Sequence, residues 1–316
     1  TKVIVLVGFI ILGVIISKNS GAWEINKEIF WKASIIGQNN QVIPLGGFAL
    51  VAAVGMALVG SLFASDAWYN VTYIAGEVIN PKKVIPLSLL LGTLLVSALY
   101  LLTNFVYIKF LPVTGTPDGA DAIARGIQFA TDDRVATSAM SVVVGDYAAM
   151  IMAIFIMVST FGCNNGLIIA GARVYYAMAR DGLFFSKVGE LNSKGVPGFA
   201  IAIQGIWSIL LCLSGTYSNL LDYVIFAVLL FFALTIFAIF ILRKKRPDIP
   251  RPYKAFGYPI IPFVYILAIT AIMIILLIFK PGYTFPGLAI VLLGIPVFFI
   301  WDRKRKKNHI QPSGNV

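Results

Sequence analysis

Apolar residues fall along this chain in long, nearly unbroken runs, with polar residues in short clusters between them. The runs lack the period-two alternation of a barrel strand. A bilayer core of about 30 Å is crossed by about 20 helical residues, and most runs reach that length. The pattern predicts an all-α polytopic membrane protein with eight spans. They cover residues 2–16, 44–80, 84–110, 147–170, 197–213, 220–242, 258–279 and 285–301, and the fourth continues as a helix to Arg180. A polar loop at 17–41 carries Trp23, Phe30 and Trp31, which suit a membrane–water boundary. A second loop at 111–145 bears Gly and Asp, with a short helix expected near 119–130. The basic tail, 302–316, is expected to be disordered. The first span is short and opens on Thr1 rather than Met, so the expectation is that an N-terminal part is missing.

The second span is too long for its task. Pro44 to Asn80 is 37 residues, about 55 Å of straight helix against about 30 Å of hydrocarbon. It reads as a helix over 45–62, a break near 63–68, and a second helical piece ending on Glu77, Asn80 and Pro81. Small residues at the break, Ala64, Ser65 and Ala67, allow close backbone approach. Irregular backbone at this depth is tolerated only inside protein or beside water. Asp66 falls in the break, where the bilayer midplane should be. An ionisable group there costs a few kcal/mol or more and is usually functional. Three roles stay open for it: contact with a substrate or proton, capping of the second half-helix, or solvation in an open vestibule. Broken helices at the midplane are where secondary transporters bind substrate.

Composition sharpens this. The chain has 316 residues, 59% of them hydrophobic and 12% charged, where a soluble domain carries about 25% charged residues. The net charge of +11 would suggest nucleic acid in a soluble protein. Here the bases lie in clusters between apolar runs, so no nucleic-acid partner is expected and the lipid bilayer is. Alternation of the spans puts 18 of the 25 Lys and Arg on one side and seven on the other. The 18-base side is cytoplasmic by the positive-inside rule, which places the tail 302–316 inside and the loop 111–145 outside.

Four further places carry polar chemistry. Glu77, followed by Asn80-Pro81-Lys82-Lys83, is either a helix stop or a gate that pairs with a base elsewhere. Asn164 and Asn165, inside the fourth span, either bond between helices or line a polar pathway. Arg173 and Arg180 are seven apart and share a helix face. They are solvated bases at a span end or a closing ion pair with Glu77. Lys2, ahead of an apolar run, either snorkels to the interface or sits in the membrane. Cys163 and Cys212 lie in apolar runs and the single histidine, His309, lies in the tail. The sequence thus offers no metal site, no cofactor motif, and no catalytic set; an enzyme is not expected.

Three motifs together are recognisable. Phe63-Ala-Ser-Asp-Ala-Trp68, Ala75-Gly-Glu77-x-x-Asn80-Pro81 and Ala172-Arg-x-x-x-Ala-Met-Ala-Arg180-Asp-Gly182 resemble those of amino-acid permeases of the amino acid–polyamine–organocation superfamily. The nearest resemblance is to bacterial L-type amino acid transporter-like members, and it covers essentially the whole chain in the right order. That family has twelve spans in the leucine-transporter fold, ten of them in two inverted repeats. The resemblance implies a partial leucine-transporter-like fold, with the eight spans corresponding to family spans five to twelve in one transmembrane domain, 1–316. Residues 1–16 match span five, 44–242 spans six to ten, and 258–301 the last two. Four N-terminal spans, with the half of the site that holds the substrate carboxylate, would lie outside this chain.

The resemblance implies a site as well. The backbone carbonyls of Phe63, Ala64 and Asp66 would face the substrate amino group, since half-helix carbonyl ends suit cations. The Phe63 ring resembles the family's gate, and Trp68 the motif tryptophan. Ser65 stands where an aromatic is usual and Ala67 where glycine is, which implies a wider pocket and a stiffer break. Lys2 falls at the fifth-span lysine that takes the place of sodium in sodium-coupled relatives. The implied function is amino-acid transport across the plasma membrane by alternating access, Na⁺-independent and more an exchanger than a proton symporter. A non-transporting amino-acid sensor on the same fold is the alternative from a different class. Substrate identity and oligomeric state are not readable.

Overall fold

The computed structural model describes the backbone of residues 2–16, 21–36, 42–214, 217–251 and 254–310. Among these residues, six helices are long and apolar enough to cross a membrane: Gly47–Tyr73, Pro81–Phe110, Val135–Arg180, Val224–Lys245, Ile260–Phe279 and Thr284–Arg303. Two shorter apolar helices, α1 (Lys2–Ile16) and α8 (Gly198–Ser214), have 15 and 17 residues. They coincide with the first and fifth expected spans. The first part of the tail, expected to be disordered, instead continues the last helix to Ile310, and residues 311–316 lie outside the described residues.

The chain divides into two compact units. The first takes Thr1–Gly47 and Leu90–Gly166. Its core is built on the end of α4 (Pro81–Phe110), where Val106, Phe110 and Leu111 meet Phe9 of α1. Gly13 of α1 lets Val106 close in, because a Cβ there would collide with the valine side chain. The Phe9 and Tyr107 rings pack at 5.5 Å.

Both loops expected in this unit hold more structure than their polarity suggests. Residues 17–41 were expected as loop, yet α2 (Ala22–Ile29) forms there, followed by a hairpin of β1 (Ser34–Ile36) and β2 (Val42–Pro44), Ser34 opposite Pro44. Asn26 is the reason α2 holds. Buried, it donates from Nδ2 to the carbonyls of Ile108 (2.7 Å) and Leu111 (2.9 Å) and accepts at Oδ1 from the Val113 amide (2.7 Å). One amide thus satisfies three backbone groups where α4 ends. Within 111–145 the expected short helix appears as α5 (Ala122–Arg125), N-capped by Asp121 at 2.8 Å. The end of that segment is not loop but α6 (Val135–Val144). Thr137, Ser138 and Ser141 disguise it in the sequence. Ser141 returns its hydroxyl to the Ser138 carbonyl at 2.8 Å, and Ala139 and Met140 join the core.

The second unit takes Phe48–Leu89 and Leu167–Val316. It contains α3 (Gly47–Ala64), a 3-10 helix at Trp68–Glu77, the end of α7 (Ala148–Arg180), α8, α9 (Tyr217–Lys245), α10 (Ile260–Phe279) and α11 (Pro281–Ile310). Val59 of α3, Ile225 and Leu229 of α9, and Ile269 and Leu276 of α10 make its main core. Gly55 brings α3 against α10; a Cβ there would lie 2.7 Å from Ile275 Cδ1. A second cluster joins Ala172 of α7, Val188 of the 3-10 turn Ser186–Gly189, and Ala200 of α8. Buried Thr284 donates its hydroxyl to the Leu276 (3.1 Å) and Lys280 (2.8 Å) carbonyls, tying α11 to the end of α10.

Candidate functional site: the break after α3

Helix α3 ends by turning its hydrogen bonds inward. The Ser65 amide donates to the Ser61 carbonyl at 3.1 Å, and its hydroxyl donates to the same oxygen at 2.9 Å and to the Leu62 carbonyl at 3.2 Å. Side-chain bonding back to the preceding turn tends to bend helices. The Asp66 amide donates to the Phe63 carbonyl at 3.1 Å, one residue short of the α register. Ala67 then takes φ 68°, ψ 3°, the left-handed conformation, which costs a residue with a Cβ about 1–2 kcal/mol. That is the cost of alanine where the resembled motif has glycine. Beyond it the chain resumes as the 3-10 helix Trp68–Glu77, not as an α-helix. The break expected near 63–68 therefore sits at 65–67, inside an apolar helical stretch from 47 to 73.

Asp66 does not cap the second piece. The capping position is Ala67, with no side-chain cap bond, and Asp66 Oδ1 is buried without a hydrogen-bond partner. Leaving a buried acceptor unmatched costs about 1–3 kcal/mol, more for a charged group. Aromatic rings flank it. Trp68 packs on Tyr69 at 5.7 Å and on Phe232 of α9 at 5.9 Å; Tyr69 lies 5.4 Å from Phe232 and 5.7 Å from Tyr73. Phe63 and Leu62 pack on the core of Val59, Ile225 and Leu229. Ala64 and Ser65 are exposed.

The fold thus brings Phe63, Ala64, Ser65, Asp66 and Trp68 into one place, and adds Tyr69, Tyr73 and Phe232. Tyr69 and Tyr73 were not singled out from the sequence, although they follow Trp68 closely. Phe232 carries no signal of its own, being one of five phenylalanines in a mostly apolar helix. The other expected residues stand apart. Lys2 opens α1 in the first unit, and its side chain, like that of Glu77, lies outside the described residues. Asn164 and Asn165 are exposed on α7, with no hydrogen bond from either amide to another described residue. Arg173 is half-buried and has an interaction partner. Arg180 is exposed at the end of α7, where Gly182 (φ 71°) closes the helix: Gly182 N–H donates to Ala179 O and Leu183 N–H to Met178 O. That is the Schellman pattern, so the Arg180-Asp-Gly182 signature is in part a helix stop. Among the described residues no cluster of His, Cys, Asp and Glu could hold a metal.

The family model described as amino acid permease matches residues 1–299. The chain is 28% identical over 314 residues to the large neutral amino acids transporter small subunit 2 of Mus musculus, covering 96% of this chain and 53% of that protein. It is 30% identical over 258 residues to the serine/threonine exchanger SteT of Bacillus subtilis (80% and 55%). With the b(0,+)-type amino acid transporter 1 of Rattus norvegicus the identity is 26% over 260 residues (80% and 49%). The chain spans about half the length of these curated relatives.

Proposed function

This chain belongs to the amino acid permease family, and on that premise we propose that it takes part in secondary transport of amino acids by alternating access, with the break at 65–67 holding the substrate amino group. It is a multi-pass membrane protein, and its relatives are transporters, not enzymes. The observation that carries the proposal is the unmatched Asp66 carboxylate oxygen at a helix break inside an apolar span. An ammonium group supplies the charge and donors that oxygen lacks, and the neighbouring half-helix carbonyls favour a cation. Phe63 acts as the gate, and Trp68, Tyr69 and Phe232 form an aromatic wall that a substrate side chain packs against.

In this reading α1 and α8 complete a set of eight spans equivalent to family spans five to twelve, with the leucine-transporter fold as the implied parent. The tail 302–316 is cytoplasmic and the membrane is the plasma membrane. Lys2 supplies a fixed cation in place of sodium, and transport is exchange. The mode is tested by uptake into proteoliposomes holding the full-length protein, varying Na⁺, the proton gradient and internal amino acid separately. Exchange predicts uptake that needs internal amino acid and ignores both gradients. Uptake driven by an inward proton gradient and lost in Lys2→Met makes Lys2 a proton carrier instead. Strict Na⁺ dependence contradicts the lysine assignment in either form.

A further inference from the structure

After the glycine cap of α7 the chain folds back on itself. Val188 packs on Ala172 and Ala200, and Gly189 approaches the Ala179 methyl so closely that a Cβ would lie 3.2 Å away. Beside this turn lies an open cavity of about 440 Å³, lined by Phe185, Ser186, Lys187, Phe199 and Ile203. Its depth in the membrane can be read from one ring contact. Phe185 meets Trp301 edge to face at 5.2 Å. Trp301 closes the apolar run of α11, and Arg303 follows two residues on. A tryptophan at the end of an apolar span, ahead of bases, marks the membrane–water boundary. The cavity is therefore at headgroup level.

Its chemistry is two-sided. Phe185, Phe199 and Ile203 are apolar; Ser186 offers a hydroxyl and Lys187 an ammonium. Both polar residues are exposed, and among the described residues no carboxylate pairs with Lys187. The apolar wall continues beyond the cavity. Phe199, Ile203, Ile206 and Leu210 follow one another on one face of α8, and Phe199, Ile206 and Leu210 are exposed. From 199 to 210 the helix rises about 16 Å, about half the hydrocarbon thickness, or one leaflet. A soluble anion would meet only one exposed base and one hydroxyl and would gain nothing from the apolar wall. A lipid uses both.

We propose that this cavity is a binding site for an anionic phospholipid, its phosphate on Lys187 and Ser186 and one acyl chain along the Phe199–Leu210 face of α8. Basic pockets beside membrane helices recognise anionic headgroups in this way. The site is separate from the break after α3, and its test reads no transport.

The purified protein in detergent is titrated with phosphatidylglycerol and phosphatidylcholine of equal chain length, and bound lipids are counted by native mass spectrometry. Phosphatidylglycerol should bind more tightly, and Lys187→Gln should weaken it about fivefold and phosphatidylcholine less, because the choline cation already neutralises that lipid's phosphate. Lys194→Gln, a base on the same loop that does not line the cavity, should change neither and so separates the site from general attraction to basic segments. Phe199→Ser should weaken both lipids together. Equal effects of Lys187→Gln and Lys194→Gln overturn the proposal. Binding of glycerol phosphate or inorganic phosphate as tight as that of the lipid overturns it too, as does loss of lipid in step with formation of a protein dimer.

Discussion

At the scale of single residues, two side chains show how the chain places polarity in an apolar protein. Asn26 spends its amide on Ile108, Leu111 and Val113, so little of it is left unsatisfied. Asn26→Ala leaves those backbone groups without a partner and should cost about 2 kcal/mol, read as a lowered unfolding midpoint in detergent. Asn26→Asp keeps the acceptor and loses both donors, and should be as harmful or worse. Asp66 is the opposite case, an acceptor with an unmatched oxygen. Next to it, Ala67 holds a left-handed conformation that glycine adopts freely. Ala67→Gly should therefore stabilise the protein by up to about 1 kcal/mol. A lowered midpoint would show that the Ala67 methyl makes contacts worth more than the backbone relief.

At the scale of elements, close helix approach depends on a few positions. Gly55→Val should destabilise by about 1–3 kcal/mol through the clash with Ile275, and Ile275→Ala in the same chain should recover part of the loss. Absence of any recovery would place the strain elsewhere. At the far end of α9, Arg251 donates to the carbonyls of Leu242, Arg246, Pro247 and Ile249, so it closes a helix end rather than only adding to a basic cluster.

Hydropathy made the long helices legible, because a run of about 20 apolar residues has few other uses. The length of 44–80 made the break legible as well, to within two residues. Helix α6 and helix α2 were not. Their hydroxyls and charges hide short amphipathic faces whose burial depends on residues far away, such as Ile108 for Asn26. The motif residues of the break were readable as a set because they are consecutive. Phe232, Gly13 and Gly55 were not, since what matters about each is its neighbour across the fold. The sequence also left Asp66 with three roles. The structure removes capping, because Ala67 holds that position without a side-chain bond.

At the scale of the whole molecule, the family and the long apolar helices agree on a membrane transporter lineage, and the break is where we propose that substrate binds. The most direct measurement is labelled amino-acid exchange in proteoliposomes holding the full-length protein, comparing the unmodified form with Phe63→Ala and Asp66→Asn at equal reconstituted amounts and unchanged unfolding midpoints. Loss of a charge-assisted contact to the substrate ammonium predicts a fall of about tenfold or more in Asp66→Asn. Opening the gate predicts a strong fall in Phe63→Ala. Exchange in both variants at the unmodified rate and half-saturation concentration would contradict the assignment and move the site away from the break.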